Sequence, residues 1–109
     1  MGFLLYGRPP EEIEIDDRLL THVKIVALAK LRREESFAFS FEHDIAGEEG
    51  RSTIWLHPSI PLRFKFSENR QPSINRAWLE ALISAANSVD GLRLIPEPEP
   101  RPEPEKPKN

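Results

Sequence analysis

Phenylalanine occupies every second position in the segment Phe37, Phe39 and Phe41, and this alternation constrains the fold more than any other feature. Successive side chains of a strand point to opposite faces of a sheet, so the three rings share one face while Ala38 and Ser40 share the other. Three aromatic rings on one face need a covering layer, most simply helices. The segment therefore predicts a sheet with one buried face and one open face.

Several other segments carry strand signals. The apolar run at residues 2–6, the turn sequence GRPPEE and the alternating residues 12–15 predict an N-terminal hairpin. Residues 52–57 and 62–66 also alternate, and the HPSIP sequence between them is interpreted as the turn of a second hairpin. Residues 92–95 predict a last short strand.

Two segments have helical periodicity. Asp16 or Asp17 is predicted to cap a helix that extends to about Arg33, and Ser73 to cap a helix that extends to about Ser88. The apolar face of the second helix is predicted to begin at Ile74. The predicted order of elements is ββαβββαβ. This order indicates an α+β fold, a mostly antiparallel sheet with two helices on one face.

The end of the chain differs in composition from the rest. Residues 96–109 read PEPEPRPEPEKPKN and contain six of the 11 prolines without any apolar side chain between the charges. Such a segment buries too little surface to offset its ordering entropy, so a disordered Pro/Glu-rich tail is predicted. The 109-residue chain then has a single α+β domain at residues 1–95.

The chain lacks the residues that most catalytic and cofactor-binding sites require. The chain has no Cys, which excludes thiolate nucleophiles and Cys-based metal sites. It has no Walker loop and no nucleophile elbow, and Glu42, His43 and Asp44 are adjacent on a strand and point to alternate faces. We therefore expect no catalytic residues, metal or cofactor. No segment is apolar enough for a membrane span or a secretory signal, so a cytoplasmic protein is expected.

The segment 51–76 holds the best candidate surface. It supplies the predicted nucleic-acid-binding residues Trp55, His57, Arg63, Lys65, Arg70, Asn75 and Arg76. If residues 52–57 and 62–66 pair, an aromatic ring lies between cations, which is typical of single-stranded nucleic-acid binding. The net charge of −3 gives no bulk attraction, so binding would depend on this local surface. The alternative is that Trp55 is in the core and the cations only solubilise the sheet.

A protein partner is the second hypothesis. Ile25 and Leu28 fall outside the apolar arc of the first helix, so they either are covered by a neighbouring element or form a face for self-association or a protein partner. Both hypotheses describe a small non-enzymatic binding domain. The salt dependence of binding distinguishes the two hypotheses, because the affinity of cations for phosphates falls steeply as salt concentration rises. A small enzyme would require a pocket that gathers Arg70, Asn75, His57 and an acid.

Four segments carry a family resemblance: IEIDDRLL, ESFAFSFEH, RSTIWLHPSIPLRF and NRQPSINRAWLEAL. In this order they resemble a family of small actinobacterial proteins of unknown function that are often labelled ATP-dependent DNA ligase, and the resemblance implies no functional residues. The fragment SVDGLR places Asp90, Gly91 and Arg93 as in the K-x-D-G-x-R signature of nucleotidyltransferases. Ser88 stands where that signature has the lysine that carries AMP, so adenylation is not expected. Asp90-Gly91 is interpreted as a turn that follows the second helix.

Overall fold

The computed structural model describes residues 1–45 and 48–99, except for the side chains of residues 43–45 and 48. The elements are β1 Gly2–Tyr6, β2 Glu11–Ile15, α1 Asp17–Arg32, β3 Phe37–Ile45, β4 Glu48–Leu56, β5 Leu62–Lys65, α2 Arg76–Ala86 and β6 Leu92–Arg93. The predicted order and the α+β class are confirmed. Of the predicted tail at residues 96–109, residues 100–109 lie outside the described residues.

The strands form two three-stranded sheets rather than one sheet. The first sheet has the order β2-β1-β5 and is antiparallel throughout, so the predicted N-terminal hairpin of β1 and β2 is confirmed. The second sheet has the order β4-β3-β6, in which β3 runs antiparallel to β4 and parallel to β6.

The predicted hairpin of β4 with β5 is wrong. β4 pairs along its whole length with β3, and β5 pairs with β1 in the other sheet. The turn at residues 57–61 therefore carries the chain from one sheet to the other instead of reversing it within one. Its end is fixed by the Gly7 N–H, which donates to the Pro61 carbonyl at 3.0 Å.

Side-chain caps fix where both helices begin. The Asp16 carboxylate accepts from the backbone N–H groups of Arg18 and Leu19, as the sequence predicts for α1. The cap of α2 is Asn75 rather than Ser73, because the Asn75 side chain accepts from the first N–H groups of that helix. Ile74 therefore precedes the helix and is 37% exposed, although it was predicted on the buried face.

The core lies between the apolar sheet faces and the two helices. Phe37, Phe39 and Phe41 are buried, which confirms the predicted inward face of β3. α1 contacts β1, whereas α2 contacts β3 and β6. The helices lie side by side and parallel, since both their N-terminal and their C-terminal ends are hydrogen-bonded to each other.

Candidate functional site

The outer face of the second sheet carries the exposed indole of Trp55. We call this surface the Trp55 face; its members are Ala38, Ser40, Glu42, Arg51, Thr53, Trp55 and Arg93. They alternate along their strands with the buried residues Phe37, Phe39 and Leu56. Trp55 is 56% exposed, so the alternative that places the indole in the core is wrong.

The strand register arranges this face in three rows. Trp55 lies opposite Ala38, and Arg51 lies opposite Glu42. The middle row runs across all three strands, because Thr53 pairs with Ser40, which pairs with Arg93. The Ser40 and Thr53 hydroxyl oxygens are 2.8 Å apart and hydrogen-bonded. The face therefore presents a large ring at one end and guanidinium groups beyond it.

Strand spacing gives the size of this arrangement. Arg51 is four residues from Trp55 along β4, a separation of about 13 Å at the usual rise of a strand. Arg93 lies two strands and one row away, which corresponds to about 12 Å. A single extended ligand of this length can therefore contact the Trp55 ring and one of the two arginines at the same time.

The outer edge of β4 has its own polar groups. The Trp55 carbonyl accepts a hydrogen bond from the Tyr6 hydroxyl. The Ala38 carbonyl lies on the opposite side, close to Gly91, which directly precedes β6. Trp55 and Ala38 are therefore a pair without mutual hydrogen bonds, and the backbone polar groups of Trp55, and of Thr53 two residues earlier, face away from β3. Tyr6 covers this edge at Trp55, and its burial raises the pKa of the Tyr6 phenol.

A groove of about 310 Å³ adjoins the Trp55 ring. It is lined by Lys30, Ser36, Phe37, Ala38, Trp55, Ala86, Asn87, Ser88, Val89 and Gly91. The Lys30 ammonium donates to the Asn87 side-chain oxygen at 2.7 Å and lies 5.6 Å from the centre of the Phe37 ring. Val89 is fully exposed at the rim. The groove thus combines an aromatic wall with a mixed polar and apolar floor.

The cations predicted to accompany Trp55 lie elsewhere. Arg63 and Lys65 are exposed on β5, which belongs to the first sheet. Arg70 lies in the loop before α2 and lines a separate cavity of about 190 Å³, and Arg76 is exposed at the first residue of α2. Only His57, which follows β4 directly, stays next to Trp55.

Two predicted polar contacts have internal partners. His57 is exposed, and its ring Nδ1 accepts from the Ser59 N–H at 3.0 Å. Asn75 is buried; its backbone N–H donates to His22 Nε2 at 2.9 Å, and its side-chain amide donates to Glu97 at 2.9 Å. Asn75 is thus engaged in the cap and in helix packing.

Arg51 and Arg93 are members of this face that the sequence prediction missed. Arg51 has the same strand parity as Trp55, so the alternation of β4 alone was enough to place both side chains on one face. Alternation alone could not place Arg93 on this face, because its position depends on the parallel pairing of β3 with β6.

The Ile25 and Leu28 surface is only partly open. Ile25 is half-buried, and Leu28 is 40% exposed. Neither residue adjoins the groove beside Trp55.

The described residues contain neither a cluster of metal-ligating side chains nor a membrane-spanning helix. Within residues 1–45 and 48–99, no group of three or more His, Asp or Glu side chains is placed to hold a metal ion. In the same part of the chain, neither helix has the length and apolar character that a membrane crossing requires. Asp90-Gly91 forms the turn after α2, with the Gly91 N–H donating to the Ser88 carbonyl at 3.1 Å.

The fold defines a small α+β domain with an exposed tryptophan on an open sheet face. A family model matches residues 1–97, so the chain belongs to the family described as a domain of unknown function (DUF7882). Neither a curated protein nor a solved structure matches the chain.

Proposed function

We propose that the Trp55 face binds single-stranded nucleic acid, with a base stacked on the indole and phosphates contacted by Arg51 and Arg93. The observation that carries this proposal is the 56% exposure of Trp55 on a sheet face that also holds two arginines. Every base has a π-face, so stacking on Trp55 does not require a defined sequence. Arginine suits the phosphate contacts because its planar fork matches phosphate oxygens.

The charge of this face predicts modest affinity. Glu42 lies directly opposite Arg51 and offsets part of its potential. The whole chain carries a net charge of −3, so there is no long-range attraction to add to the local contacts. Binding through one stacked base and two phosphates is therefore expected to be weak and to decrease as salt rises.

The first test measures fluorescence anisotropy of a labelled oligothymidylate at several salt concentrations. Trp55→Ala should weaken binding by roughly 5- to 150-fold, because stacking contributes about 1–3 kcal/mol per base. Arg51→Ala combined with Arg93→Ala should make the slope of log affinity against log salt shallower by about 1.4, as expected for two lost phosphate contacts. Glu42→Gln should strengthen binding.

The matched control is Arg63→Ala combined with Lys65→Ala. It removes the same charge from the first sheet and should leave affinity and salt slope unchanged. Weaker binding in this control, together with unchanged binding in the Arg51 and Arg93 variant, would show that Arg63 and Lys65 contact the nucleic acid instead. Absence of wild-type binding at low salt would refute the proposal.

A protein partner is the second candidate, favoured by the groove beside Trp55. Val89 and Trp55 are both exposed there, and an apolar peptide side chain would cover them together. Val89→Ser would then weaken binding of the partner but not of the oligonucleotide. Salt would have little effect on such docking, in contrast to phosphate binding.

A further inference from the structure

The outer face of the first sheet has a charge pattern that is separate from the Trp55 face. In one row across the sheet, Phe3 of the central strand lies between Glu14 on β2 and Lys65 on β5. In the next row, Leu5 lies between Glu12 and Arg63. Each row therefore reads acid, apolar, base. We call this surface the acid–base face.

This face points away from the core. Leu4, Ile13 and Phe64, which alternate with its members, form or pack against the core, whereas Phe3 and Leu5 do neither. Phe3 and Leu5 are half-buried, and the four charged side chains are exposed. Within residues 1–45 and 48–99, none of these four charges takes part in an ion pair. In each row the acid and the base lie on strands that are separated by β1, so their backbones are about 10 Å apart.

We propose that the acid–base face binds the same face of a second copy of this chain. A rotation by 180° about an axis parallel to the strands, lying between the two sheets, places β2 of one copy over β5 of the other. Glu12 and Glu14 then face the partner's Arg63 and Lys65, and the reverse contacts form on the opposite side. Phe3 and Leu5 stack on their own counterparts in the middle, which is the self-complementarity that a two-fold interface requires.

The alternative rotation, about an axis across the strands, places acid over acid and base over base. That arrangement is disfavoured, because like charges in juxtaposition repel. The charge pattern therefore selects both the partner and its orientation. It also gives Arg63 and Lys65 a role independent of the proposed nucleic-acid surface.

The face is small. Three strands of four to five residues form a face of about 14 Å by 17 Å. The area of this face is well below the roughly 800 Å² that each partner buries in a standard interface. A weak dimer that depends on concentration is expected. Its ionic contacts are solvent-accessible, so rising salt should weaken it.

The experiment is sedimentation velocity on the full chain at protein concentrations from about 10 µM to 1 mM, where weak dimers are populated. The wild-type protein should shift from the chain mass of 12.5 kDa towards twice that mass. Glu12→Lys with Glu14→Lys makes the face entirely basic, and Arg63→Glu with Lys65→Glu makes it entirely acidic. Each double variant should remain monomeric, and their equimolar mixture should form a heterodimer.

The control for the acidic positions is Glu34→Lys with Glu35→Lys, which makes the same charge change on exposed residues between α1 and β3. It should dimerise like the wild type and should not pair with the acidic variant. Circular dichroism confirms that each variant is folded. A wild-type chain that stays monomeric throughout, double variants that dimerise normally, or a mixture that stays monomeric would each overturn the inference. None of these results depends on nucleic-acid binding.

Discussion

Glu97 has a structural role that the Pro/Glu-rich composition of its segment does not reveal. Its carboxylate accepts from Arg18 Nε at 2.8 Å and Arg18 Nη2 at 2.7 Å, and from the Asn75 side-chain amide at 2.9 Å. The hydrogen bonds from Arg18, followed by that from Asn75, lower the pKa of Glu97 from 4.5 to about 2. The carboxylate thus links the first turns of both helices.

This pKa predicts a stability change in acid. The folded pKa of Glu97 lies below the unfolded one, so its stabilisation is complete above pH 4.5 and is lost as pH falls towards 2. Glu97→Gln should lower the free energy of unfolding near neutral pH by about 1 kcal/mol, because the pair is partly exposed to solvent. Urea titrations at several pH values measure the difference in free energy of unfolding between the wild type and Glu97→Gln, and this difference should become smaller in the acid range. Glu99→Gln is the control; a Glu97 difference that stays constant with pH would contradict the assignment.

At the scale of elements, Gly91 determines where β6 can lie. Its φ is +80°, and an added Cβ would be 2.6 Å from the Ala38 carbonyl oxygen. Only glycine permits both this conformation and the close approach. Because β6 brings Arg93 onto the Trp55 face, this contact also positions part of the proposed site.

Gly7 provides a matched comparison for this effect. Gly7 has a similar φ of +86°, but the nearest atom to an added Cβ is 3.9 Å away. Gly7→Ala should therefore cost only the conformational penalty of about 1–2 kcal/mol. Gly91→Ala should cost clearly more, because it adds a clash with β3. Thermal unfolding of the two variants tests this order, and an equal loss in both would show that the close approach to Ala38 is unimportant.

At the scale of the whole molecule, the two helices and the segment after β6 join the sheets. α1 contacts the first sheet and α2 the second. The buried His22 ring connects the helices, since its Nε2 accepts from the Asn75 N–H and its Nδ1 lies 2.8 Å from the Arg18 carbonyl. Beyond β6, the Trp78 indole N–H donates to the Ile95 carbonyl at 2.7 Å. Contacts with the helices therefore continue past the predicted domain boundary at residue 95.

Truncation tests where the stabilising contacts end. A chain ending at residue 99 retains the Ile95 and Glu97 contacts and should unfold at the wild-type temperature. A chain ending at residue 94 leaves the buried Trp78 N–H without its acceptor and Arg18 without its carboxylate, which should cost about 2–4 kcal/mol. Thermal denaturation distinguishes the two. A marked loss of stability in the longer chain would place further contacts in residues 100–109.

The sequence by itself determined the element types and which side chains of a strand share a face. Alternation is a local property, so the inward rings of β3 and the order ββαβββαβ followed from residue spacing. The same alternation left open whether Trp55 faces the core or the solvent, and only the structure shows that the indole is exposed. The cap of α1 was also local. For α2, however, the sequence predicted Ser73, whereas the cap is Asn75, which also contacts His22 and Glu97 from distant parts of the chain.

Only the tertiary structure decided which strands share a sheet. Pairing depends on contacts between residues far apart in the chain, and a turn such as residues 57–61 can lead either back along its own strand or into another sheet. For this reason Arg63 and Lys65 belong to the acid–base face, while Arg93 joins Trp55 from the far end of the chain. The alternation of side chains was encoded locally, whereas the face that β4 buries and the neighbours on each face were fixed by long-range packing.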